Sequence, residues 1–359
     1  MILFKRHTVH LLAAAVIGVG VTSVATGQDH PFETDAERVP AMKIGASVVL
    51  SNVMIHTAVR PAFRGTVVVA EGKILGVFTE GEPFETPPNS QTLDLNGMHL
   101  APGVVDTHSH SAIERGVNEG SVSITAEVTM RDVVDADDIA IYRALAGGVT
   151  TIRLLHGSAN AIGGRDAVLK LRWGVTADEL LMEGAEQGIK FALGENPKRS
   201  NGSRGNSRFP ATRMGIEALY QRAFERAREY QGQIDAHTAA SLAGKDPAPV
   251  RRDLRLEVLA GILAQDVIVH SHCYRADEIL MLIRTAQQFG FRIGTLQHVL
   301  EGYKVAHEMA EANVPGSLFS DWWGYKVEAY DAIPHAPHLM AKAGVLTSIN
   351  SDSDEMMRR

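Results

Sequence analysis

Two histidines separated by one residue, His108 and His110, end an apolar run that begins at Ala101. Side chains alternate across a strand with a period of two residues, so we expect both imidazoles on the same face. Neutral imidazole is a preferred ligand of zinc, and Asp106, two residues earlier on that face, could orient one of the rings. The pair predicts a metal site. Histidine pairs also occur by chance on surfaces, so the prediction depends on the rest of the chain.

Further residues that can bind a metal ion follow short apolar stretches elsewhere in the sequence. The carboxyl ends of barrel strands converge on one mouth, so residues distant in sequence would meet there. Each residue alone has an ordinary explanation, since a strand-end histidine is often a hydrogen-bonded core residue and an aspartate can cap a helix. One stretch offers both His270 and His272 on one face, and we favour His270 because it ends the apolar run directly. These candidate ligands are Lys190, His270, His298 and Asp352.

The segments that must position these residues change character along the chain. Residues 41–100 alternate short apolar stretches with turn residues, which is typical of a small β domain. A helical pattern at 139–146 ends at Gly147 and Gly148, and the chain then enters a strand at 149–155. The repetition of strand and helix predicts an α/β fold, either a parallel barrel or a doubly wound sheet. Later strands are predicted at 189–193, 267–270, 292–298, 316–320 and 345–349.

The first 27 residues differ from the rest. Lys5 and Arg6 precede an apolar run over 9–25, a pattern typical of a signal peptide. Gly18 and Gly20 interrupt this run, which is shorter than the roughly 20 apolar residues of a membrane span. We therefore predict a signal peptide over 1–27, no stable membrane anchor, and a secreted or periplasmic mature protein. The remaining divisions are an N-terminal β domain over 28–100 and a barrel domain over 101–359.

The composition excludes some classes of protein. A net charge of −7 gives no general attraction to nucleic acid, and 45% hydrophobic residues suffice for a sizeable core. Cys273 is the single cysteine, so an intrachain disulfide or a multi-cysteine zinc site is impossible. A metal ion would have to be held by histidine, carboxylate or a modified lysine.

The run 100–110 (L-A-P-G-V-V-D-T-H-S-H), followed by G-G-V-T-T at 147–151, resembles the amidohydrolase superfamily. Its imidazolonepropionase-related and dipeptide-cleaving members are the most similar, and the resemblance covers about residues 41–352. It implies a TIM-like (β/α)8 barrel with a small N-terminal β-sandwich. It also implies that a first-strand histidine pair, a fourth-strand lysine, fifth- and sixth-strand histidines and an eighth-strand aspartate form the metal site, here His108, His110, Lys190, His270, His298 and Asp352.

The family lysine is commonly carbamylated, and a carbamate derived from carbon dioxide on Lys190 would be an anion able to bridge two ions. The family pattern also continues well beyond its eighth-strand aspartate, whereas this sequence stops seven residues after Asp352. We therefore expect a C-terminally truncated chain that lacks the last part of the barrel and of the sandwich.

These features together predict a metal-dependent hydrolase that cleaves a C–N bond in an amide, a dipeptide or a cyclic amide. One or two divalent ions, zinc by preference or else iron or manganese, would activate water. Asp352 would act as general acid and base, and His298 would stabilise the developing oxyanion. The alternative is a truncated, non-catalytic paralogue that binds a small ligand. The sequence leaves open whether the chain forms a homo-oligomer.

Residues for binding a small amide or peptide-like substrate are expected in the loops after the strands. The stretch 196–213 carries five basic and no acidic residues, so it either covers an anionic substrate or is a solvated loop. The glycine-rich stretch 155–165 is either an anion-binding nest or a flexible connection. Asp321, Trp322 and Trp323 either shape the pocket or pack in the core. The candidate substrate contacts are His156, Arg199, His272 and Tyr274.

Overall fold

A computed structural model describes residues 45–114, 116–199, 208–320, 324 and 326–353, and the side chain of Arg199 is not part of this description. The predicted signal peptide over 1–27 and the residues 321–323 lie outside the described parts. Within those parts, no helix combines the length and the apolar character needed to cross a membrane.

The N-terminal β part is a single five-stranded sheet with the order β3-β2-β1-β4, and β5 also pairs with β1. The apolar stretch over 92–100 forms two strands rather than one, because Asn96 and Gly97 take positive φ angles and separate β4 from β5. The described residues contain one sheet here, so the second layer of the expected sandwich is not among them. The strands are β1 (Ser47–Ile55), β2 (Phe63–Ala70), β3 (Lys73–Thr79), β4 (Gln91–Asp94) and β5 (His99–Leu100).

The following strands are mostly parallel and neighbour one another in chain order. β6 pairs with β7, and β10 to β14 form consecutive parallel pairs. The predicted strands correspond to observed ones, although β13 and β14 are shorter than expected. The strands are β6 (Val104–Ser109), β7 (Val149–Leu154), β8 (Ile162–Arg165), β9 (Ala167–Lys170), β10 (Gly188–Ala192), β11 (Ile268–Cys273), β12 (Ile293–His298), β13 (Gly316–Leu318) and β14 (Thr347–Ile349).

Two of these strands, β8 and β9, depart from the parallel pattern. They are separated by Asp166 alone, and β8 runs antiparallel to β10 while β9 runs antiparallel to β7. The Asp166 carboxylate accepts a hydrogen bond from the backbone N–H of Gly188 at 2.8 Å. Between β7 and β10 the chain therefore forms antiparallel strands rather than a further parallel one. The 162–165 part of the glycine-rich stretch is one of these strands.

Backbone hydrogen bonds join the segment after β14 to strand β6. The N–H of Asp352 donates to the carbonyl of His108 at 2.9 Å, and the N–H of His110 donates to the carbonyl of Ser353 at 3.0 Å. The ends of β14 and β6 consequently lie side by side. The mixed α/β architecture is as the sequence predicted.

Helices pack against the strands and share a hydrophobic core with them. The core packs Phe191 of β10 against Tyr220 and Phe224, and all three side chains are fully buried. Helix α1 has the predicted bounds, and Asp138 caps it by accepting a hydrogen bond from the N–H of Ala140. The helices are α1 (Ile139–Ala146), α2 (Ala177–Leu180), α3 (Glu195–Arg199), α4 (Arg213–Leu242), α5 (Leu254–Leu263), α6 (Ala276–Phe289), α7 (Ala306–Glu311) and α8 (Ala336–Lys342).

Candidate metal centre

Strand β6 and the segment after β14 bring His108, His110 and Asp352 together. The Nε2 atom of His108 lies 3.0 Å from Asp352 Oδ1, and the Nε2 atom of His110 lies 2.9 Å from the same oxygen. Ligand atoms of all three residues lie within 4.8 Å of one another. Two nitrogens and a carboxylate thus face one small region.

Lys190 reaches the same place from β10. Its Nζ atom is 2.9 Å from His108 Nε2, and the side chain is almost fully buried. Burial lowers the pKa of Lys190 to about 8. The other carboxylates that could pair with Lys190 are already engaged, since Glu195 pairs with Lys326. Asp106 accepts from Ser351, so neither carboxylate neutralises this ammonium.

Two further imidazoles border this region. The Nε2 atom of His298 lies 3.6 Å from Asp352 Oδ2, and the His298 ring stacks on Phe319 with centroids 5.0 Å apart. The His272 ring lies 4.7 Å from the His298 ring. His298 and Asp352 both have positive φ angles, of 66° and 47°, which are uncommon for residues other than glycine and recur at functional sites.

The contacts of His270 do not support the preference for it over His272. Arg153 Nη1 lies 2.9 Å from His270 Nε2, and this permanently charged guanidinium, which Asp166 holds in place, opposes a cation at that nitrogen. Asp166 also lies 3.7 Å from this nitrogen. Residues two apart on a strand are about 6.6 Å apart along its axis, so the histidine nearer the carboxyl end is the one beside His298.

The protonation states suit a cation. Burial lowers the pKa of His108 to about 3 and holds the pKa values of His272 and His298 well below their ordinary value, so these rings are neutral. Burial would raise the pKa of Asp352, but the attraction of the polar rings of His108 and His298 and the hydrogen bonds of His108 and His110 outweigh it and hold this pKa well below the usual range.

Some ring nitrogens of the cluster lack a protein partner. Among the described residues, the buried Nδ1 atoms of His108, His110, His270 and His272 have no hydrogen-bond partner. A buried polar atom left in this state costs free energy unless a ligand or water satisfies it. The Nε2 atoms of His108 and His110, at the other positions of these rings, face the Asp352 carboxylate, and these two nitrogens with the carboxylate form a donor set that fits a divalent ion.

His156 does not present a free ring nitrogen to a substrate. Its Nε2 atom accepts a hydrogen bond from the N–H of Glu119 at 2.8 Å, and its Nδ1–H donates to the carbonyl of Gly157 at 2.9 Å. Both ring nitrogens hold the surrounding loops together, so the predicted substrate contact is replaced by a role in loop structure. The stretch around it is buried, which excludes a freely flexible connection.

Two basic residues of the 196–213 stretch are likewise used within the protein. Arg208 donates to the carbonyls of Gly120, Val122 and Ala159. Arg213 pairs with Asp277 and Glu278 at 2.6 Å each. These two guanidinium groups therefore organise the loops, and neither is available to cover an anionic substrate.

Tyr274, another predicted contact, is buried beside the centre. Its ring lies 4.6 Å from that of His272 and 5.7 Å from that of His298, and Lys326 Nζ lies 4.6 Å from its centroid. Lys326 was not singled out in the sequence, and neither was Asn196, whose amide lies 3.3 Å from His272 Nε2. A cavity of about 650 Å³ borders the centre and is lined in part by His110, Asp352, Ile113, Asp138 and Arg143.

Comparison with known proteins decides the family. No protein-family model matches the chain. The crystal structure of an amidohydrolase from Thermotoga maritima MSB8 is 33% identical in sequence and superposes with a TM-score of 0.76, covering 85% of this chain and 78% of that one. The chain belongs to the amidohydrolase superfamily. The resemblance inferred from the 100–110 and 147–151 runs is thereby confirmed at the level of this superfamily.

Other amidohydrolase relatives are more distant or much longer. Amidohydrolase tasK of Hapsidospora irregularis is 30% identical over an alignment of 315 residues that covers 80% of this chain, and the chain spans 32% of that relative's length. A β-aspartyl dipeptidase from Fervidobacterium islandicum AW-1 is 13% identical with a TM-score of 0.41, a similarity too low to bear on the substrate.

Proposed function

We propose that this amidohydrolase is a metal-dependent hydrolase that cleaves a C–N bond in a small amide, a dipeptide or a cyclic amide. The observation that carries the proposal is the convergence of His108, His110 and Asp352 on one point beside a cavity. The proposal includes closure of the strands into a barrel whose mouth holds this centre. It also includes export of the protein, which rests on the sequence of residues 1–27 alone.

His108, His110 and Asp352 would hold the first ion, and His272 and His298 are the nearest further imidazoles. Zinc suits this histidine-rich set, and iron or manganese would fit it also. Such an ion, when bound, lowers the pKa of a coordinated water and polarises a carbonyl group.

Lys190 is proposed to carry a carbamate. Its neutral amine attacks carbon dioxide, a new N–C bond forms, and one proton leaves to water. The product is an anion in place of a buried ammonium that lies 2.9 Å from His108. A positive charge there would oppose cation binding, whereas carbamate oxygens would support a second ion.

Asp352 is proposed as the proton carrier. Its carboxylate lies beside His108 and His110 and borders the cavity, so it can accept a proton from the attacking water and deliver it to the leaving nitrogen. His298, 3.6 Å from Asp352, would face the acyl oxygen of the substrate as negative charge develops on it.

The test is hydrolysis of a panel of dipeptides, N-acyl amino acids and small cyclic amides by the zinc-loaded protein. Loss of a general acid and base costs about 10²–10⁴-fold in rate, so Asp352→Asn should lose at least about 10²-fold in kcat. Asp178→Asn, which alters an exposed ion pair with Arg131, is the matched control. Equal activity of Asp352→Asn and the control would refute the role of Asp352. Zinc binding without hydrolysis by the unaltered protein would favour a non-catalytic binding protein.

A further inference from the structure

Asn196, near the start of α3, makes three side-chain contacts at the edge of the centre. Its Nδ2 atom lies 2.8 Å from Ser158 Oγ and 3.3 Å from His272 Nε2. Its Oδ1 atom accepts from Lys326 Nζ at 3.4 Å. The amide is thus placed by a residue of β11 and by residues from two separate loops.

These contacts fix which way the amide points. A lysine ammonium has three donors and no acceptor, so the amide atom that faces Lys326 must be the oxygen. The nitrogen, with its two N–H groups, then faces Ser158 and His272. A donor consequently points at the ring that lies 4.7 Å from His298.

Lys326 is itself held tightly. Its Nζ atom lies 3.0 Å from Glu195 Oε1 and 3.0 Å from Glu328 Oε1. With Asn196 Oδ1, three side-chain oxygens surround the ammonium. Glu328 also accepts the backbone N–H of Glu195 at 2.9 Å. The ammonium therefore links the start of α3 to the segment after β13. It is poorly placed to bind a substrate anion.

We propose that Asn196 is a substrate-contacting residue, whose amide N–H donates to the acyl oxygen of the bound substrate, and that Lys326 is its positioning residue. A donor 3.3 Å from a ring nitrogen of the centre is within reach of an oxygen seated against that ring. The N–H strengthens its hydrogen bond as charge develops on this oxygen, which lowers the barrier. This inference rests on the hydrolase proposed above.

The experiment compares Asn196→Ala with the unaltered protein in two assays. Loss of one such donor costs about 10²–10³-fold in kcat, and we expect KM to change by less than about threefold. The second assay is titration of the metal-free protein with zinc, followed by calorimetry. Because the amide N–H occupies His272 Nε2 when no ion is bound, its removal should leave zinc affinity unchanged or raise it by up to about fivefold.

Lys326→Met tests the positioning role, and Lys304→Met is its matched control. Lys304 also pairs with two carboxylates, Glu301 and Asp331, and lies 5.9 Å from the ring centroid of Tyr303, but it is not in the centre. Lys326→Met should lose about tenfold in kcat through misplacement of Asn196, whereas Lys304→Met should lose none. Lys326→Arg, which keeps a donor to the amide, should recover part of the loss.

A fall of kcat in Asn196→Ala with zinc affinity unchanged or raised supports the inference. A parallel fall of kcat, zinc affinity and melting temperature would show that Asn196 is merely structural and would overturn it. Unchanged kcat in Asn196→Ala would overturn it also. If the unaltered protein hydrolyses none of the panel, the proposed function itself fails, which is a different result from an active protein insensitive to Asn196→Ala.

Discussion

Asp106 on β6 accepts two hydrogen bonds from Ser351, one from the hydroxyl at 2.6 Å and one from the backbone N–H at 3.1 Å. The same carboxylate accepts the N–H of His108 at 3.2 Å. Asp106 therefore joins strand β6 to Ser351, the residue directly before Asp352. This bond network, rather than a contact with an imidazole ring, is how Asp106 supports the centre.

Asp106→Ala should destabilise the fold because it leaves these donors unsatisfied in a buried place. A buried donor left unsatisfied costs about 1–3 kcal/mol, so the loss of the partner of three donors should lower the free energy of unfolding by at least about 3 kcal/mol. Urea denaturation of the metal-free protein measures it. Asp178→Ala, on the surface, should cost less than about 1 kcal/mol. A similar small loss for both variants would contradict the role of Asp106.

His272→Ala and His270→Ala form a matched pair on one strand face. We expect His272→Ala to lower zinc affinity by about tenfold or more, since a candidate ligand is removed. His270→Ala should retain zinc and lose about 2–4 kcal/mol of stability, because it removes the partner of Arg153 above Asp166. Zinc titration and urea denaturation are run on both. The reverse pattern would restore His270 as the ligand.

Lys190→Met should remove the proposed carbamate while keeping a long buried side chain. We expect the unaltered protein to bind more zinc when reconstituted with bicarbonate than without it, and Lys190→Met to be insensitive to bicarbonate. Mass spectrometry cannot keep the labile group, so carbon-13 NMR with labelled bicarbonate is the direct check. No labelled carbamate signal in the zinc-loaded protein would exclude the modification.

Much of the centre is predictable because its residues obey a simple rule, that parallel strand ends share one edge. His108, His110, Lys190, His298 and Asp352 could be brought together on this basis. The rule does not tell which of two positions along one strand lies at the metal centre. His270 and His272 share a face, so periodicity cannot distinguish them, and only the contact with Arg153 does so.

Other features depend on contacts that no local pattern contains. Asn196 is oriented by Lys326, which is 130 positions away in sequence. In the sequence His156 resembles an exposed loop histidine. In the structure both of its ring nitrogens bond to backbone groups. The antiparallel strands β8 and β9 were not predicted, because the bond between Asp166 and Gly188 joins residues 22 positions apart. The turn at Asn96 interrupts a stretch whose apolar pattern favours one strand.

The central claim is that His108, His110 and Asp352 hold a divalent ion. The most direct test is metal analysis of the purified protein beside a His108→Ala, His110→Ala double variant, with folding of both checked by circular dichroism. We expect between about one and two equivalents of zinc, iron or manganese in the unaltered protein and a small residual fraction in the folded double variant. Equal metal content in the two proteins would contradict the account.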